Sequence, residues 1–250
     1  MQIKPGKIGA LVSALGSDIV LGKYSVGAAL PPEHELAVQY GSSRSVVREA
    51  VKMLAAKGLV SVRQRHGTHV RPRADWSMLD RDVLTWLTGS NGPEANLLLA
   101  LEEVRSIIEP AAAALAAARG TEEDHRALRA ALRAMEAGQS SQEAAIAADK
   151  EFHLAVLAAT HNPVLQSFRG AIDSILSAIF LVATGRLEWF EANIGNHADV
   201  VDAIIAREPE RARAAMERTL GYTRGNLAAL PAARAAGAQD DPEISTSNLP

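Results

Sequence analysis

Two sets of side chains in this 250-residue chain carry chemistry by their type and spacing. In the first, Arg44 and Arg48 stand four apart, so on a helix they share one side, one turn from each other. A guanidinium fork matches the O6 and N7 acceptors of guanine in the DNA major groove. Ser43 and Ser45 lie where a helix would start and can donate to phosphates alongside its free backbone N–H groups. Farther on, Gly67, flanked by Arg65 and His66, allows a hairpin tip to approach closely, as entry into the neighbouring minor groove requires.

In the second set, Asp149 and His153 are also four apart, inside an apolar stretch that holds Ile146, Leu154, Val156 and Leu157. His197 precedes Val200, Val201, Ile204 and Ile205, and Arg105 sits among Leu101, Val104, Ile107 and Ile108. A carboxylate, two imidazoles and a guanidinium turned inward are costly unless they meet a ligand, a metal or each other. Facing helices of a bundle are a common frame for such a site. Plainer readings stand beside this one. Each His can be a hydrogen-bonded core residue, Asp149–His153 a local ion pair, and Arg105 a surface partner of Glu102 or Glu109.

The elements that must position these groups follow from periodicity and punctuation. Helical spacing predicts a first helix over 8–21 and a second over 33–40, started by Pro31-Pro32 and ended by Gly41. A third helix runs over 44–57 with Val46, Val47, Ala50, Val51 and Leu54 on one side and the basic residues on the other. Residues 59–62 and 68–70 read as two short strands with a wing between them. The layout is helix, tight turn, Arg-bearing helix and hairpin, a winged helix-turn-helix. Residues 71–75 form a linker of Pro and charge. From there the chain reads as all helix: 80–89, 93–118, 121–138, 141–159, 163–184, 187–207 and 208–229. Six to seven helices with short connections imply an antiparallel bundle over 76–230, with 231–250 as a frayed tail.

Charge follows the same division. Residues 1–75 hold 11 Lys and Arg against 5 Asp and Glu, whereas the remainder holds 15 against 24. A basic head on an acidic body suits a nucleic-acid binder carrying a separate non-DNA domain. The chain has no Cys, which excludes disulfides, thiolate metal sites and a Cys nucleophile. No run of 18 apolar residues and no secretory pattern is present, so a cytoplasmic protein without membrane contact is expected.

Residues 30–70, LPPEHELAVQYGSSRSVVREAVKMLAAKGLVSVRQRHGTHV, resemble the N-terminal domain of the GntR family of bacterial transcription regulators. The likeness rests on the leucine-proline start, S-R-x-x-V-R-E-A, L-x-x-x-G-L-V and G-T-x-V. It implies DNA contacts from Arg44, Ser45, Arg48, His66 and Gly67. His34 departs from the pattern, which often has Arg there. The body resembles the all-helical ligand-binding (FCD) domain of the FadR-type branch. There an Asp and a His four apart, with two later His, hold a divalent metal such as Zn or Ni at the floor of an effector pocket. Asp149, His153 and His197 match the first three ligands, and Thr219, in AAMERTLGY, stands where the fourth is expected. A hydroxyl is a poorer ligand for these metals than imidazole. Arg105, in EEVRSIIEP, matches a typical arginine of the domain and is the implied bidentate partner of an effector carboxylate. WSMLDRDVLTWL and HNPVLQSF are similar to family members that serve sugar acid operons, which implies an aldonate or related hexonate as effector. Trp189, Asn193 and Thr184 would then lie near the pocket, to stack on or bond a polyol.

The resulting expectation is a homodimeric, ligand-responsive repressor. It would read double-stranded operator DNA with one recognition helix per half-site and let go when a small carboxylate binds the bundle. Two other classes remain open: a metal-dependent enzyme acting on a small acid, and an effector-free architectural DNA binder.

Overall fold

The computed structural model describes residues 6–63, 66–89, 95–138, 141–182 and 186–229. Thr184, Arg65 and the tail over 231–250 lie outside them. The described residues form eleven helices and one two-stranded sheet.

The N-terminal part comprises α1 (Lys7–Val20), α2 (Glu33–Gln39), α3 (Arg44–Ala56) and the hairpin β1 (Val60–Arg63) and β2 (Gly67–Val70). Ser43 caps α3 by accepting from the Val46 N–H at 3.4 Å, satisfying a donor that no helical carbonyl reaches. Val47, Ala50, Val51 and Leu54 bury one stripe of α3 against α1 and α2. The strands are antiparallel with Val60 opposite Val70, and both side chains enter the same core. Between α3 and β1 the chain turns at Gly58, with φ of +79°. A Cβ there would lie 2.1 Å from the Asp75 carbonyl oxygen, so the turn and the linker approach closely only because the residue is glycine.

The linker contains a short 3-10 turn, Arg73–Asp75, and leads into α4 (Arg81–Leu87). Asp80 caps α4 by accepting from the N–H groups of Asp82 and Val83. Although α4 follows the linker, Trp76, Val83 and Trp86 bury into the N-terminal core, while Leu84 enters the core of the body. Trp86 lies so close to Gly16 of α1 that a Cβ there would meet its ring at 2.4 Å.

The body is a bundle of α5 (Ala95–Arg119), α6 (Glu122–Ala137), α7 (Gln142–Ala158), α8 (Pro163–Ser167), α9 (Arg169–Val182), α10 (Leu187–Ile205) and α11 (Pro209–Ala228). Small residues draw α5 and α11 together: Ala112, Ala113, Ala116 and Ala117 on one, Ala212 and Ala215 on the other, all buried. One expectation is corrected. The single helix over 163–184 breaks at Phe168. The Ser167 hydroxyl donates to the Val164 carbonyl at 2.6 Å, the acceptor that the Phe168 N–H would use in a continuing α-helix. The Phe168 N–H turns to Leu165 at 3.0 Å instead.

Candidate functional site

The N-terminal part presents a basic face. Arg44, Ser45 and Arg48 all lie on the exposed side of α3, opposite its buried stripe. The Ser43 and Ser45 hydroxyls are 2.9 Å apart at the helix start. Arg48 donates from Nε and Nη2 to the two carboxylate oxygens of Glu33, at 3.1 and 2.8 Å. In the wing, His66 and Gly67 are exposed, and Gly67 has φ of +84°, which puts the hairpin tip in the left-handed region. His34 lies 3.8 Å from Glu35 and is mostly exposed.

The second site is inside the bundle. Asp149 and His153 of α7 and His197 of α10 are all buried, and each offers a ligand atom within 4.8 Å of the others. His197 donates its Nδ1–H to the Asn193 carbonyl at 2.8 Å, one helical turn back. In the neutral ring, a proton on Nδ1 leaves Nε2 as a lone pair. Nε2 lies 3.3 Å from Asp149 Oδ1 and has no hydrogen-bond partner. In that tautomer a cation between Nε2 and the carboxylate would turn lone-pair repulsion into coordination. His153 sets its Nδ1 2.5 Å from Glu109 Oε2, and its Nε2 lies 3.5 Å from Asp149 Oδ2. The Phe152 ring stands edge-on to both imidazoles, at 5.1 and 4.7 Å between centroids, and holds their tilt.

Arg105 reaches this cluster from α5, with Nη2 3.0 Å from His153 Nε2. Its fork is already taken. Nε donates to Glu109 at 2.7 Å and Nη1 to Glu102 at 3.1 Å, all three groups being buried. The sequence leaves these carboxylates as surface partners. The structure turns residues 102, 105 and 109 inward and leaves Ile107 exposed. Their spacing of three and four is a helical stripe in its own right, and that is the signal a search for apolar periodicity passes over.

Glu102, Glu109 and Asp149, three carboxyl groups, share one guanidinium and two imidazoles. Burial pushes Glu102 up from the ordinary carboxylate range, and its Oε1 has no partner. Burial also works against Glu109, but Arg105 and His153 beside it more than offset that and hold it at about 2. Asp149 is likewise lowered, its burial offset by His197, His153 and Arg105. Two imidazoles with a carboxylate suit Zn or Ni. The donor set therefore fits such an ion. Thr219 is buried close by, but its hydroxyl donates to the Ala215 carbonyl of its own helix at 3.0 Å.

Beside the cluster lies a small cleft of about 30 Å³, lined by Asp149, Trp189, Phe190, Asn193, Tyr222 and Asn226 among others. Asn193 donates to the Thr219 carbonyl and accepts from Asn196, so it braces the cleft wall. The Arg186 guanidinium lies over the Trp189 ring at 4.6 Å. Tyr222 and Asn226, one turn apart on α11, escape a reading by motif, and the Asn226 amide nitrogen is buried without a partner.

Residues 8–70 match the model of bacterial regulatory proteins of the gntR family, and residues 100–221 match the FCD domain. The galactonate operon transcriptional repressor of Escherichia coli (strain K12) is 38% identical over 215 residues, which cover 84% of this chain and 91% of that protein. The chain belongs to the GntR family. The Uxu operon transcriptional regulator of the same organism is 30% identical over 237 residues, 88% of this chain and 85% of the relative. The fold is also that of Lar from Listeria monocytogenes, with a TM-score of 0.68 at 21% identity over 92% of this chain and 100% of that one. GntR members of this kind are transcription regulators that bind operator DNA and small-molecule effectors, and membership closes the enzyme reading. Among the described residues no helix is long and apolar enough to cross a membrane.

Proposed function

We propose that this GntR regulator is a homodimeric repressor of a sugar acid operon, released from its operator when an aldonate enters the bundle. The observation that carries the effector half is the meeting of Asp149, His153 and His197, with Asp149 at the wall of a largely apolar cleft. When bound there, a Zn or Ni ion would supply Lewis-acid affinity for a carboxylate and its neighbouring hydroxyl. His197 would hold it through Nε2, its ring fixed from behind by the Asn193 carbonyl, and His153, backed by Glu109, would join it once its Nε2 exchanges the Arg105 contact for the ion. Arg105, held by two carboxylates, lies against His153 rather than facing the cleft. Trp189, Tyr222 and Asn226 offer a flat ring and polar groups to the polyol chain. The 38% likeness to a repressor named for galactonate favours a hexonate.

On the DNA side, Arg44 and Arg48 read base edges while Ser43 and Ser45 hold phosphates, and His66 and Gly67 bring the wing to the minor groove. Effector binding lowers operator affinity only through a difference between two placements of the heads.

A thermal-shift screen of sugar acids, with Zn or Ni and with EDTA, tests both parts. A hexonate should raise the melting temperature with metal and lose that effect in EDTA, and the same hexonate should weaken operator binding in a gel shift. If no aldonate of any configuration alters either readout, the effector class is wrong.

A further inference from the structure

Glu33 is the first residue of α2, on a different helix from the arginines of α3. Yet both of its carboxylate oxygens engage Arg48, one from Nε and one from Nη2. A guanidinium has two hydrogen-bonding edges. Glu33 takes the side edge, formed by Nε–H and one Nη2–H. The end edge, formed by Nη1 and the second Nη2 hydrogen, has no partner among the described residues. That end edge suits guanine O6 and N7.

Arg48 needs such a brace. Its side chain is 63% exposed, so packing does not select a rotamer, and a free arginine on this face can swing to a phosphate as easily as to a base. Glu33 is itself well placed to serve. Pro32 sets the start of α2, and a carboxylate in the first turn is favoured by the helix dipole. Arg48 and then Arg44 keep the carboxyl below its ordinary range, so it stays ionised at neutral pH.

We propose that Glu33 is a positioning residue for base recognition: it braces the side edge of Arg48 so that the end edge is aimed at a guanine. The proposal rests on the reading that Arg48 contacts a base. It adds a specificity determinant that never touches DNA. It also predicts opposite effects on specific and non-specific binding, because the same carboxylate repels phosphates.

The test uses the full-length protein and a duplex recovered by it from a randomised library. Single-base-pair variants of that duplex and a scrambled duplex serve as competitors. Glu33→Gln should weaken binding to the selected duplex about tenfold and erase the preference for guanine at one position of each half-site. Affinity for the scrambled duplex should stay level or rise. Glu33→Asp keeps the charge at the start of α2 and should melt like wild type, yet it too should lose discrimination because it is too short to span the fork. In an Arg48→Ala background, neither change should have a further effect. Tighter binding of the selected duplex by Glu33→Gln would show that Glu33 masks Arg48, and it would overturn the proposal. Equal losses on selected and scrambled duplexes would overturn it as well. If Arg48→Ala itself binds undiminished, the base-reading role of Arg48 falls, and the brace with it.

Discussion

At the scale of single residues, the centre of the bundle is held by charge. Arg105 is buried at 2% exposure between Glu102 and Glu109, which makes it the hub of the cluster. Removing one member of a buried ion network leaves the others uncompensated, which costs more than the network contributes when whole. Arg105→Met is therefore expected to lower unfolding free energy by about 3–5 kcal/mol, read from urea melts. Leaving the guanidinium in place and changing the side chain behind the proposed metal ligand His153 has another outcome. Glu109→Gln should reduce the affinity for Zn or Ni about 10–100-fold, measured by competition with a chromophoric chelator. The residues bearing this chemistry were partly legible in the sequence. Asp149, His153 and His197 stand out because polar groups interrupt apolar spacing. Glu102 and Glu109 do not, because carboxylates next to an arginine on a helix are usually solvated.

At the scale of elements, helix ends were readable because capping is local. The Thr121 hydroxyl accepts from the Asp124 N–H while the Asp124 carboxylate accepts from the Thr121 N–H, closing the start of α6. His161 adds a contact to the same carboxylate at 2.7 Å. Partial burial works against Asp124, but the Thr121 and His161 contacts more than offset it, so the carboxyl lies below its ordinary value of 3.8. A folded value below the unfolded one means stability that is complete above the unfolded value and is lost as the pH falls through the folded one. Asp124→Asn should thus be less stable than wild type at pH 6, and the difference should shrink below about pH 4 in thermal melts. The break between α8 and α9 was not readable in the same way. Asn162-Pro163 announces the start of a helix, whereas its early end, where the Ser167 hydroxyl donates to the Val164 carbonyl, carries no such local signal.

At the scale of the whole molecule, α4 is the joint. It packs on α1 through Trp86 and on α9, whose Ile179 and Phe180 line the cleft. Lys57, just past the end of α3, is tied to Asp80 and Asp82 at the start of α4, at 2.8 Å each. A displacement of α9 by a ligand thus has a packed route to the recognition helix. Trp86→Ala is expected to destabilise the protein by about 3–5 kcal/mol and to split its calorimetric unfolding into separate transitions for head and body. A single undivided transition in that variant would show that α4 does not couple them. What the amino-acid order determined by itself was the winged head, the helical body and the inward-facing Asp149, His153 and His197, because periodicity, caps and turns act over a few residues. What only the tertiary structure decided was which partners those groups meet: Glu33 on Arg48, two glutamates on Arg105, Trp86 against Gly16. Such pairings join residues far apart in the chain, and no local preference encodes a distance that packing alone sets.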